Sequence, residues 1–273
     1  MRAMPNLFVA ISMLVLGLGG CAAAPTQPTE AYPIWWSPSL GIEGLDDVEK
    51  RLEDPAWFGG GIPIYKGERG NRQEAIADNC DSLDRLRKEG YSAYVTHSIR
   101  VVLYHSAKCH VIEMLLEAMP AKKSHVRDFK LDADSINYLP ALVDASPSCD
   151  WLCRQYVANE RRIPFIEFVD AEHLIVDSTS DYRMDVKTFG SELTMEILAR
   201  ADFNGDGLED LLLRVNAGAI GGTWGTTQNF LLTRDTPDGV LWVLGAEKKI
   251  CSPVRYRPCD ADYDHPEALR RTN

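Results

Sequence analysis

Residues 202–215 read DFNGDGLEDLLLRV, a polar, glycine-punctuated stretch running straight into an apolar one. The second part, from Asp210 to Val215, reads as a buried strand. The first holds two strong two-residue turn signals, Asn204-Gly205 and Asp206-Gly207. Upstream, ELTMEILARA (192–201) is another apolar run of strand character. The stretch therefore marks a bend between two strands of a sheet. A plain hairpin needs only one such turn pair, and it leaves Asp202 and Asp210 unexplained.

Working outward, the runs FIEFV, HLIVDS, YRMDVKTF, NFLLT and VLWVLG are short, and Gly, Asp and Asn punctuate the gaps between them. Residues 146–250 are thus expected to form an antiparallel meander. Residues 32–145 read as mainly helical. GLDDVEKRLEDPAWF is acidic and amphipathic, a helix is expected from Arg72 to Gly90, and SAKCHVIEMLLEAMP is terminated by Pro120. Helices first and strands afterwards predict an α+β fold, with a helical N-terminal half packed on a β-meander. No internal repeat is evident.

Numbered from Asp202, the bend offers oxygen ligands at positions 1, 3, 5 and 9, namely Asp202, Asn204, Asp206 and Asp210, and the backbone carbonyl of Leu208 at position 7. Gly207 at position 6 permits the sharp turn. Calcium prefers such hard oxygens, and the first six positions obey D-x-[DN]-x-[DN]-G. An EF-hand also requires Glu at position 12, where Leu213 stands, so that motif is excluded. Carboxylates about 5 Å apart repel by roughly 3 kcal/mol per pair at an effective dielectric near 20, which a bound cation would relieve. DFNGDGLEDLLL resembles the calcium loops of the FG-GAP and VCBS repeat families, where the ion sits between two strands. That resemblance covers one loop and implies a bound Ca2+ with a structural role, not a propeller. Asp260, Asp262 and Asp264 also alternate, but no glycine follows them, and they read as part of an acidic tail, 251–273.

The first twenty residues carry Arg2, the apolar run LFVAISMLVLGLG, and small residues before Cys21, which is the layout of an export signal. Leu18-Gly19-Gly20-Cys21 resembles the lipobox of bacterial lipoproteins. It implies lipidation at Cys21 and, with Ala22 next, anchoring on the periplasmic face of the outer membrane. Residues 21–31, rich in Pro, Thr and Ala, read as a tether. Six other cysteines, Cys80, Cys109, Cys149, Cys153, Cys251 and Cys259, suit disulfides in an oxidising compartment. Cys80 aligns with Ile76 and Leu83, and Cys109 with Ile112 and Leu116, so two helices packed by those stripes would pair them. The other four can pair locally or across.

Formal charge is −11, and −12 once Arg2 is removed with the signal. Such acidity opposes nucleic-acid binding and favours cations or basic proteins as partners. No nucleophile elbow, zinc-protease helix or phosphate loop is present. Glu113 and Glu117 lie on the polar side of a helix. His105, Cys109 and His110 could hold zinc, although a disulfide at Cys109 competes. Trp224, in GAIGGTWGTT, and the Trp35-Trp36 pair are candidate contact aromatics. No small-molecule substrate is evident. The expectation is a non-enzymatic, membrane-anchored calcium-binding protein that acts by binding another protein. It is similar in architecture to the calcium-binding lipoprotein immunity proteins that neutralise secreted toxins. An envelope-structural lipoprotein is the alternative, and a hydrolase a third reading.

Overall fold

The computed structural model describes residues 31–245 except 69, 95, 145–148 and 170, and only the backbone at 96, 97, 149 and 150. The expected signal, Cys21, nearly all of the tether, and the tail with Cys251, Cys259, Asp260, Asp262 and Asp264 lie outside the described residues, as does the side chain of Cys149.

In chain order the elements are β1 (Trp35–Trp36), α1 (Leu45–Glu53), α2 (Pro55–Phe58), β2 (Ile62–Lys66), β3 (Gln73–Ala77), α3 (Cys80–Lys88) and α4 (Thr96–Glu117). They continue with β4 (Lys123–Ser124), α5 (Cys149–Glu160), α6 (Phe165–Val169), β5 (Ile175–Thr179), β6 (Arg183–Thr188), β7 (Ser191–Ala201), β8 (Leu208–Ala219), β9 (Gly225–Thr233) and β10 (Trp242–Val243). The fold is α+β. Strands β5 to β10 form an antiparallel meander in sequence order. Strand β1 joins the loop-proximal end of β7, where β6 has already ended, and β4 runs parallel to the start of β8.

Both faces of the β7–β8 pair are covered. Leu193, Met195 and Ile197 alternate onto one face with Leu211, Leu213 and Val215, and Tyr156, Phe165 and Phe168 pack there. A register shift between Ile197 and Ala199 interrupts the alternation. Leu198, Ala199 and Leu212 consequently meet Val48, Val111, Ile112 and Leu115 on the second face. Each such fully buried aliphatic side chain stabilises by about 1.5–3 kcal/mol. No described helix is long and apolar enough to cross a membrane.

Three expectations need correction. The helix placed after Arg72 begins at Cys80, because Gln73–Ala77 pairs with Ile62–Lys66 as a hairpin and leaves Ile76 52% exposed. Asn79 sets the start through a capping box, its Oδ1 accepting from Ser82 N while Ser82 Oγ accepts from Asn79 N. FIEFV is helix α6, not a strand. Its buried residues Phe165, Phe168 and Val169 fall at i, i+3 and i+4, with Pro164 directly before the first turn. Residues 146–174 of the supposed β region therefore carry α5, α6 and a short 3-10 turn, and the meander starts at Ile175.

Cys80 on α3 and Cys109 on α4 are disulfide-bonded, as their apolar stripes imply. Both lie buried in a cluster with Phe58, Ile62, Ile64, Leu83 and Leu86. Cys153 is also disulfide-bonded. The 29-residue separation of Cys80 and Cys109 gives the bond a chain-entropy contribution of about 3–4 kcal/mol. Cys80→Ser with Cys109→Ser is expected to lower the unfolding free energy by about that amount, read as a lower urea midpoint, with the m-value rising as the uncrosslinked denatured chain expands.

Candidate functional site

The stretch 202–207 joins β7 to β8, with Ala201 opposite Asp210 in register. Gly205 and Gly207 sit at φ +80° and +86°, where a Cβ is strained, so both glycines are required by the bend itself. Asp202 is buried, and its two oxygens accept from Gly205 N (2.7 Å) and Gly207 N (2.8 Å). Asn204 Oδ1 accepts from Asp206 N, and Asp206 Oδ1 accepts from Leu208 N. Asn204 Nδ2 donates to Asp206 Oδ2 at 2.9 Å. The side chains thus spend most of their acceptors on the bend's own amides. Among the described residues no three His, Cys, Asp or Glu side chains already stand together as a metal-ligand group.

Asp210 differs from the rest. Its side chain is wholly buried, Oδ2 accepts from Phe203 N at 3.2 Å, and Oδ1 has no hydrogen bond. The Thr233 hydroxyl lies near enough to favour the charged carboxylate, yet it too lacks a bond of acceptable geometry. Burial pushes the Asp210 carboxyl up to about 7, and the charges of Asp206 and Asp202 add to the rise.

Its neighbour Glu209 faces the other way. It is buried too, but Arg127 Nη2 stands 2.7 Å from Oε1 and Ser124 Oγ donates to Oε2 at 2.6 Å, which removes it from the ligand list. The segment after α4 straps the bend: Met119 and Asp202 exchange backbone hydrogen bonds, and Lys122 N and Lys123 N donate to Gly207 O.

The structure separates two features that share a neighbourhood in sequence. Trp224 stands beyond the far end of β8, about 35 Å from the bend at strand rise, so an ion at 202–210 does not touch it. Its ring is half-buried against the main core. Trp35 and Trp36 are likewise packed, Trp35 stacking on Tyr182 and Trp36 Nε1 donating to Ile42 O. The zinc reading fails at Cys109, whose sulfur is committed to Cys80.

A second polar feature was not recognised in the sequence. The uncovered part of the sheet's second face carries Thr194, Asn216 and Thr227 beneath Arg100 and Tyr104 of α4. One signal was available, since Arg214 shares the Leu212 face in the middle of an apolar strand, where a charge needs a reason. Burial lowers the pKa of Arg214 and of Lys108, and their mutual repulsion lowers that of Lys108 further.

Comparison with protein-family models, with curated proteins and with solved structures gives no match. The likeness of the bend to known calcium loops therefore rests on its own residues.

His105, beside Lys108, packs against Phe58 with the rings tilted and their centroids 4.4 Å apart. Burial foremost, then the Lys108 charge, lowers its pKa from 6.5 to about 4. The unfolded chain hence takes up this proton first as pH falls. The stability that neutral His105 supports is complete above pH 6.5 and is lost progressively towards about pH 4. His105→Phe is expected to flatten the fall in melting temperature across that window, measured by calorimetry against pH.

Proposed function

We propose that the chain is an exported, lipid-anchored protein that binds calcium at residues 202–210 and works by contact with another protein. One observation carries the metal assignment. Asp210 Oδ1 is a wholly buried carboxylate oxygen without a hydrogen bond, at the end of a bend whose Asp202, Asn204 and Asp206 follow calcium-loop spacing. A buried carboxylate oxygen without a donor bears its full desolvation cost, which a cation offsets.

Asp202, Asn204, Asp206 and Asp210 would supply side-chain oxygens, and Leu208 its carbonyl. Uptake would exchange the exposed Asn204–Asp206 side-chain bond for coordination. The role is structural, because the ion would lock β7 and β8 to the strap at 119–124. Anchoring at Cys21 and an outer-membrane location rest on the sequence pattern of residues 1–22.

Contact with a partner is supported by the acidic balance of the chain, which suits a basic protein such as a secreted toxin. It is supported also by exposed Phe189 and Ile220 in the two turns at the sheet's far end, joined by Ile220 N donating to Gly190 O.

Calorimetry of calcium into the chelator-treated protein is expected to show one binding event. Melting should rise by an amount equivalent to about 2.7 kcal/mol at calcium a hundredfold above Kd. Asp210→Asn should abolish the heat and the rise together. No heat, with melting indifferent to chelator, overturns the metal assignment. Affinity capture from envelope and secreted fractions tests the second half: one tight secreted partner supports it, whereas recovery of resident envelope proteins favours an envelope-structural role.

A further inference from the structure

Away from the bend, the N-terminal half of α4 overhangs β5 to β9 and leaves a cleft of about 830 Å³, within the size range of small-molecule sites. Most of its charged lining is internally committed. Lys187 pairs with Asp177 at 2.5 Å. Asp185 accepts from Thr194 Oγ1, Ser178 Oγ and the Arg183 guanidinium. Two charged groups are not committed. Arg100 and Glu192 make no side-chain hydrogen bond or ion pair among the described residues.

Arg100 is nevertheless placed. Its guanidinium lies on the backbone of Gly218 and Gly225, which face each other in register across β8 and β9. A Cβ at Gly225 would stand 2.5 Å from Arg100 Nε and 2.8 Å from Cζ, so only glycine there lets the guanidinium settle. Gly225 has no positive φ to explain its choice, unlike Gly205 and Gly207.

Behind the opening, unsatisfied buried polar atoms gather. Arg214 is only 6% exposed, yet its Nε and Nη2 lack hydrogen-bond partners, and Glu196 approaches Nη1 only to 4.0 Å. The ring of Tyr104, which lines the cleft, stands 5.9 Å from the Arg214 guanidinium. Nδ1 of His105, in the cleft lining, is likewise buried without a partner. Such atoms bear their full desolvation cost, and their concentration at one place points to a ligand or bound solvent there. On the floor Asn216 Oδ1 accepts from Thr227 Oγ1, leaving the Asn216 amide hydrogens for a ligand.

We propose that this cleft binds a small hydroxylated organic anion. Its acidic group pairs with Arg100 at the mouth, with buried Arg214 as the positive charge behind, and its hydroxyls donate to Glu192 and accept from Asn216. The assignment is independent of the calcium bend, which lies at the opposite end of β8.

Titration calorimetry of the full chain with glucuronate, glucose and inorganic phosphate tests it. Glucuronate should bind at least about tenfold more tightly than glucose, which lacks the charge, and than phosphate, which lacks the sugar hydroxyls. Arg100→Ala should weaken glucuronate about ten- to a hundredfold, the loss of a charge-assisted hydrogen bond. Gly225→Ala should act in the same direction by displacing the guanidinium while retaining it. Both variants should keep the parent near-UV circular dichroism, and chelator should not change the affinity. Undetectable glucuronate binding, glucose or phosphate binding as tightly as glucuronate, or unchanged affinity in Arg100→Ala overturns the proposal.

Discussion

The pairing of β7 with β8 is the constraint on which the other parts depend. It runs from Ser191–Ala219 to Ala201–Asp210 and is buried on both faces in the part nearer the bend. Each face specifies the register, because a one-residue slip would send Leu211, Leu213 and Val215 to the side that now holds Leu212, Arg214 and Asn216. Fixing this pair also fixes where the bend at 202–207 emerges and where the turn before Trp224 emerges, at opposite ends of one rigid element.

The two faces are used differently along their length. The first is apolar from Leu211 to Val215, where Phe129, Leu139, Phe165 and Phe168 pack, and becomes charged beside the bend, where Glu209 meets Arg127 and Arg200 donates to Phe129 O. The second is apolar only near the bend, where α1 and α4 cover it. Further along β8 it turns polar at Arg214 and Asn216, and α4 overhangs rather than packs. One helix thereby seals half of a sheet face and roofs a cleft over the other half. Low amphipathicity in α4 is the sequence correlate, since its sides meet the disulfide cluster, the sheet and the cleft in turn.

Much of the fold was legible in the sequence. Strand runs from Ile175 onward declared themselves by alternation, and the Cys80–Cys109 pair was anticipated from apolar stripes of which Leu83 and Ile112 are buried while Ile76 and Leu116 are exposed. What failed was short. FIEFV, at five residues, fits a strand by composition and one helical turn and a half by spacing, and burial of Phe165, Phe168 and Val169 in the main core goes with the helical spacing. The Arg72–Gly90 helix was overextended because Ile76, Cys80 and Leu83 happen to keep helical period across a real boundary, which the Asn79 cap marks. The bend was visible as a list of oxygens. Its strap from 119–124 was not, because nothing local in those residues announces a parallel partner some 85 positions away. Arg100 and Gly225 were equally hidden, since a flat guanidinium on two glycines is a relation between distant segments and leaves no periodic trace.

That strap has a consequence for how the molecule assembles. The disulfide joins α3 to α4 across 29 residues, and each meander strand pairs with its sequence neighbour, so both parts can organise from nearby contacts. Joining Ser124 to Glu209 closes a far longer chain segment and needs the β7–β8 ladder already formed. Docking of the two parts therefore carries the larger loop-closure cost and depends on the ladder that it joins.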